Sequence, residues 1–330
     1  MSGADKVTDA PPALSVVMPV RNGAAYLGLA VQSVLDQTFA DFEFIIIDDG
    51  STDATPSLLS ALAKKDTRIR VLRTSGEGIV AALNLGFRTA RGELIARMDA
   101  DDISLPLRFA VQVAALRTMP QLVALGGSAI TIDTHGIETG QMTVPADAPA
   151  AMAELLRHNC FLHPTMILRR NAVVTAGLYR PACIYAEDYD LWLRLSEVGE
   201  MANLQEPLIK FRLHAQQTSK TKRLMQRAAT AFARQLAVRR RSGHGEGIEM
   251  TLPLHSALEI FLRRRSEGQK EMERPERKDI EIILREMHNR LDAGLVMKLV
   301  RLLRSGDSLR GSLLLRLKLA LTKRRTPSRS

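Results

Sequence analysis

Four apolar runs separated by three helix-patterned segments fill residues 14–102, and this alternation fixes the kind of fold open to the chain. LSVVMPV (14–20) reads as a buried strand opening into the loop Arg21-Asn22-Gly23. A helix follows over 24–37, with Tyr26, Leu27, Ala30, Val31, Val34 and Leu35 on one face, and then the strand FEFIIID (42–48). The cycle repeats as a helix over 54–65, the strand IRVLRT (69–74), a helix over 78–90 and the strand ELIARMD (93–99). Strand, helix, strand in this order implies parallel pairing through right-handed crossovers, hence an α/β Rossmann-like half. Ligands of such sheets sit at the carboxyl ends of the strands, the rim to which Pro19, Asp48, Asp49 and Asp99 are delivered.

Beyond residue 102 the alternation loosens. A helix over 105–117 leads to the strand LVALGGSAITID (122–133), and a turn at His135-Gly136 signals antiparallel or edge strands. A helix after the Pro/Ala-rich 145–151 precedes HPTMILRR (163–170). EDYDLWLRLSEVG (187–199) reads as a helix and PLIKFRLH (207–214) as a strand. Residues 103–219 are thus the expected acceptor half of a domain spanning 14–219. Residues 220–330 read as helical, with breaks near 243–247, Pro275 and Gly306.

Charge follows the same division. Residues 1–219 carry 19 Lys and Arg against 24 Asp and Glu, whereas residues 220–330 carry 27 against 12, so the basic character belongs to the tail. Two cysteines, Cys160 and Cys183, are too few for a disulfide framework and point to a reducing cytosol. Residues 1–13, with acids and prolines, lack a signal-peptide pattern and read as a disordered lead-in. No run approaches the roughly 18–20 apolar residues of a membrane span, so a soluble or peripheral protein is expected.

The chemistry lies in the acids. Asp49, at the end of the second strand in IIIDDGSTD (45–53), can accept hydrogen bonds from a base and ribose. It could instead cap the next helix, a duty for which Ser51, Thr52 and Asp53 stand nearer. Asp99 and Asp101 form an Asp-x-Asp after the fourth strand. In an extended segment the two would project to one side and could share a hard divalent cation, Mn²⁺ or Mg²⁺, with a diphosphate. Asp102 is adjacent, and His214 is a candidate third ligand. Asp188, at the start of a helix, is the candidate base for an attacking hydroxyl; its plain alternative is a first-turn acid complementing the helix dipole. Glu187, His163 and Trp192 are candidates on the acceptor side, although His163 and Trp192 read equally as packed residues.

LSVVMPVRNGAAYLGLAVQSVLDQTFADFEFIIIDDGSTDATPSLL, RMDADDISLPLRF, HPTMILRR, AEDYDLWLRL and FRLHAQQTS together resemble glycosyltransferase family 2, in that order, over residues 14 to 219. The resemblance implies a GT-A fold followed by a helical C-terminal extension. It implies that Pro19, Arg21 and Asn22 with Asp49 line the nucleoside, and that Asp99 and Asp101 hold nucleotide-sugar and metal, Asp101 as the direct ligand. By the same resemblance Asp188 is the catalytic base and His214 sits near metal and diphosphate. Some relatives carry a basic residue near the position of Gly78, where SGEGIVAALN has none.

The expected activity is inverting, metal-dependent transfer of a sugar from a nucleoside diphosphate donor, a UDP-sugar by expectation, to a hydroxyl of a glycan or lipid-linked acceptor. Cell-surface polysaccharide assembly is the expected setting. A dehydrogenase is disfavoured because no Gly-x-Gly-x-x-Gly follows the first strand, and a glycosidase because it needs no nucleotide half. The rival class is a non-catalytic nucleotide-sugar sensor or membrane-associated scaffold. For the tail, a packed helical appendage and attachment to an anionic membrane surface stand side by side. Nucleic-acid binding is disfavoured, since Phe232 and Phe261 are the tail's only aromatics.

Overall fold

The first two strands explain the sheet that forms. In the computed structural model every residue of β1 (Leu14–Val20) and β2 (Phe42–Asp49) is buried, as strands covered on both faces must be. The structure describes residues 10–215, 217, 222–246 and 251–267, with a few positions between 282 and 297. The expected lead-in falls largely on residues 1–9, and the expected breaks at Pro275 and Gly306 follow residue 267; these lie outside the described residues.

The elements run β1, α1 (Leu27–Leu35), β2, α2 (Thr55–Lys65), β3 (Ile69–Thr74), α3 (Ile79–Thr89), β4 (Leu94–Arg97), β5 (Ile103–Ser104), α4 (Arg108–Thr118), β6 (Leu122–Ile132), β7 (Glu138–Met142), α5 (Ala148–Leu155), β8 (Ile167–Arg169), α6 (Arg170–Thr175), α7 (Glu187–Leu195), β9 (Glu200–Arg212), α8 (Arg223–Arg241) and α9 (Leu254–Glu267). One sheet has the order β3-β2-β1-β4-β8-β6-β9-β5, with β7 beside β6. β3, β2, β1 and β4 are mutually parallel, as the alternation requires. β8 is antiparallel to both β4 and β6, β6 and β9 are parallel, β5 is antiparallel to β9 and β7 to β6, so the sheet is mixed.

Alternate side chains of β1 and β2 serve opposite faces. Val16, Met18, Phe44 and Ile46 join one core with Leu27, Val31 and Val34 of α1 and Phe109, Val113 and Leu116 of α4. Val17 and Ile47 face α3, whose Gly86 lets the helix lie against the sheet: a Cβ there would stand 2.5 Å from Val17 Cγ1 and 2.8 Å from Ile47 Cδ1. Each fully buried Ile or Phe contributes about 1.5–3 kcal/mol.

The expected last strand is longer and earlier than its apolar run: β9 begins at Glu200, not Pro207, because it pairs with the whole of β6, and it ends at Arg212, leaving His214 beyond it. HPTMILRR is a strand only over 167–169, its first three residues forming a 3₁₀ turn. The chain divides into two compact units, residues 1–178 with 194–214, and residues 179–193 with 215–330. The first holds the sheet. In the second, Phe232 of α8 and Phe261 of α9 meet edge to face with ring centroids 5.5 Å apart.

Candidate active site

At the carboxyl ends of β1, β2 and β3 three loops are stitched together. Asn22 takes a left-handed conformation (φ 53°), which Asn tolerates better than most residues. Its Oδ1 accepts from Thr52 N at 2.8 Å, and its own N donates to Ser51 Oγ at 2.9 Å. Gly50 (φ 70°) lies against the β3–α3 loop so closely that a Cβ would stand 2.8 Å from Gly76 N. Asp48 accepts from Ser51 N at 3.0 Å. Pro19 is buried in β1, whereas Arg21 is exposed, its guanidinium beside Gly76.

Asp49, 4% exposed, does not cap α2. Its Oδ1 accepts from Thr74 Oγ1 (2.6 Å) and Glu77 N (2.8 Å), and its Oδ2 from Gly78 N (2.9 Å), so it holds the 74–78 loop shut against β2. An ionised carboxylate has about four acceptor positions, and three are used here.

Past β4 the acids gather by a different device from the one expected. β4 stops at Arg97 and residues 100–101 form a turn, so the alternation of an extended segment does not operate. The turn instead brings in a third member. Among the described residues, Asp99, Asp101 and Asp102 form a group in which one carboxylate oxygen from each lies within 4.8 Å of the others. Asp102 is 1% exposed; its Oδ1 accepts from Arg212 N at 2.8 Å, while its buried Oδ2 has no hydrogen-bond partner. Burial and the neighbouring Asp99 and Asp101 carboxylates push the Asp102 carboxyl well above the usual range. Asp101 is raised by burial and Asp99, against the opposing hydrogen bond to His214. Three hard oxygen donors at this spacing, one orphaned, fit a divalent cation.

The expected His214 and three arginines that the sequence reading passed over, Arg97, Arg108 and Arg212, support the trio. His214 Nε2 lies 2.9 Å from Asp101 Oδ2, and its ring stands 5.9 Å from that of Tyr26. Arg212, 2% exposed, donates from Nε to the Asp101 carbonyl (2.8 Å) and from Nη1 to the Asp133 carbonyl (2.9 Å), with its guanidinium 4.5 Å over the Tyr26 ring. Arg97, buried, is ion-paired to Asp99. Arg108 donates to the Arg97 carbonyl at 2.8 Å and is pulled down to about 9 by burial and by Arg97. His163 is held well below the ordinary imidazole range by burial and by Arg97, so it is neutral. The one available signal was an arginine inside each of two buried strand runs, ELIARMD and KFRLH.

Asp188, Glu187 and Trp192 belong to the second unit. Glu187 and Asp188 are half-buried at the start of α7, where the helix N-terminus favours carboxylates; Asp188 Oδ1 accepts from Tyr189 N at 2.7 Å. Trp192 is 0% exposed, so its ring has no open face for sugar stacking and is a core residue. Tyr185, three residues before Asp188, has φ 76°, a conformation costly for an aromatic residue.

Residues 15–176 match the family model Glycosyl transferase family 2. An uncharacterized glycosyltransferase of Haemophilus influenzae is 33% identical over 218 residues, 63% of this chain and 68% of that protein. The O-antigen biosynthesis glycosyltransferase WbnJ of Escherichia coli is 31% identical over 212 residues, 63% of this chain and 82% of its own. Among solved structures, S. aureus TarS 1-349 in complex with UDP-GlcNAc superposes with a TM-score of 0.59 at 16% identity, covering 94% of this chain and 91% of that one, a likeness of fold.

Proposed function

The chain belongs to glycosyltransferase family 2 with a GT-A fold, and on that premise we propose that it moves a sugar from a nucleoside diphosphate donor, a UDP-sugar first, to a hydroxyl acceptor with inversion. The observation that carries the reading is the acidic trio at the end of β4, with its orphaned Asp102 oxygen, on the same strand ends as Asp49. Asp49, with Asn22 and Arg21, receives base and ribose: the 74–78 loop uses three of its about four acceptor positions, and the fourth is assigned to the ligand. Asp99, Asp101 and Asp102 would hold a Mn²⁺ or Mg²⁺ ion, with His214 orienting Asp101. When bound, such an ion supplies Lewis-acid charge to the departing diphosphate.

Asp188 takes the proton of the acceptor hydroxyl while the hydroxyl oxygen bonds to the anomeric carbon, and the bond from that carbon to the phosphate oxygen breaks on the opposite side. The helix N-terminus favours negative charge at this position, the form in which a carboxylate acts as a base. Asp188→Asn is expected to abolish transfer while sparing donor binding, and Asp101→Ala to weaken donor binding that depends on the ion. Full transfer by the first variant would remove Asp188 from the mechanism.

The setting we propose is surface-glycan assembly, supported by the names of relatives such as WbnJ and the amylovoran biosynthesis glycosyltransferase AmsE of Erwinia amylovora. No described helix is long and apolar enough to cross a membrane. The basic region after residue 220 supports attachment to an anionic bilayer surface instead. Binding to anionic vesicles that weakens with salt is expected, and equal binding to neutral vesicles would refute it.

A further inference from the structure

The helix that carries Asp188 is fastened to the C-terminal region by a partly buried ionic quartet. Asp190, in the first turn of α7, is 0% exposed and lies 3.8 Å from Arg180 Nη1. The same Nη1 donates to Glu246 Oε1 at 2.5 Å, and Arg240 Nη1, from the last turn of α8, pairs with that oxygen too. Two cations and two anions balance, and Arg180, Arg240 and Glu246 are each only 14–16% exposed at their side chains. Within the same unit, the turn Pro181–Cys183 packs against α8 and α9, with Ala182 and Cys183 wholly buried. This turn precedes Tyr185, whose left-handed backbone persists only where its surroundings hold it.

We propose that Glu246 and Arg240 are positioning residues for Asp188: acting through Arg180 and Asp190, they set the orientation of α7, so the C-terminal region is part of the catalytic apparatus and not an appendage. The inference rests on the reading of Asp188 as the base. Removing the Glu246 charge leaves two guanidinium groups facing each other in a poorly solvated setting, with Asp190 the remaining anion of the quartet. Arg180 and Asp190 must then shift, and α7 with them. A misplacement of about 1 Å at a reacting group costs on the order of 100-fold in rate.

The test uses full-length protein with Glu246→Gln, Glu246→Asp and Arg240→Met, counting active sites by nucleotide binding. Glu246→Gln and Arg240→Met should each lower kcat per binding site by about 100-fold with donor affinity unchanged, and Glu246→Asp should recover most of it. Unchanged kcat per site, with activity falling only as the folded fraction falls, would overturn the proposal. Hydrogen exchange on the unaltered protein decides independently of any variant's folding: amides of 187–193 should open together with those of α8 and α9. Exchange of 187–193 in step with the strands of the sheet would overturn it as well. Failure of the base reading is read separately, as full transfer by Asp188→Asn.

Discussion

Arg212→Met is the perturbation whose cost can be worked most directly from the structure. Methionine keeps an unbranched stem of similar length but no donor, so the Asp101 and Asp133 carbonyls lose bonds of 2.8 and 2.9 Å and Tyr26 loses a cation stacked at 4.5 Å. A carbonyl left without its donor costs about 1–3 kcal/mol, and the stacking is worth about 0.5–2 kcal/mol. A destabilisation of about 3 kcal/mol or more follows, at the severe end for one substitution. Urea unfolding of the metal-free protein measures it. Calorimetric titration with Mn²⁺ reads the second consequence, a weaker site, because the Asp101 backbone loses its anchor. Arg212→Lys should recover little, since one ammonium does not reproduce a planar fork spanning two carbonyls. A loss below about 1 kcal/mol together with unaltered Mn²⁺ affinity would refute the reasoning.

Gly86→Val should cost about 1–3 kcal/mol by overpacking against Val17 and Ile47, read by urea unfolding, with donor preference unchanged. His163, held neutral in the fold, has a folded pKa below its unfolded value. Its contribution to stability is therefore present above about pH 6.5 and is lost as pH falls through the folded value, a dependence that His163→Asn should remove from melting curves taken between neutral and acid pH. Mn²⁺ in 100-fold excess over its dissociation constant should stabilise the native state by about 2.7 kcal/mol, reversibly on chelation, and Asp102→Asn should diminish that gain.

What could be read from the sequence follows from where each signal is stored. β1, β2 and β4 were legible because both faces are buried, and the half-exposed edge strand β3 because the strand–helix alternation brackets it; β3 and the start of β1 coincide with expectation to the residue. The first half of β9, Glu200–Glu206, was not, because its partner β6 rather than its own hydrophobicity makes it a strand. β5 is two residues long and is defined only by pairing with β9. In the site, Asp49, Asp101 and His214 could be named as candidates, since strand ends are visible in sequence. The third carboxylate and its orphaned oxygen depend on a turn that the spacing does not reveal. Arg97, Arg108 and Arg212 carry no periodic mark of their own, and the assignment of residues 179–193 to the same unit as α8 and α9 depends wholly on tertiary packing.

The central claim is ion-dependent sugar transfer from a nucleoside diphosphate, and the most direct measurement is release of nucleoside diphosphate by the purified protein from a panel of nucleotide sugars, with and without Mn²⁺ or Mg²⁺. Turnover is expected with at least one donor, in transfer or slow hydrolysis, lost on chelation and restored by the ion. Tight binding of a nucleotide sugar with no turnover of any donor, in the presence of the ion and a hydroxyl acceptor, would contradict the account and leave a sensor or scaffold in its place.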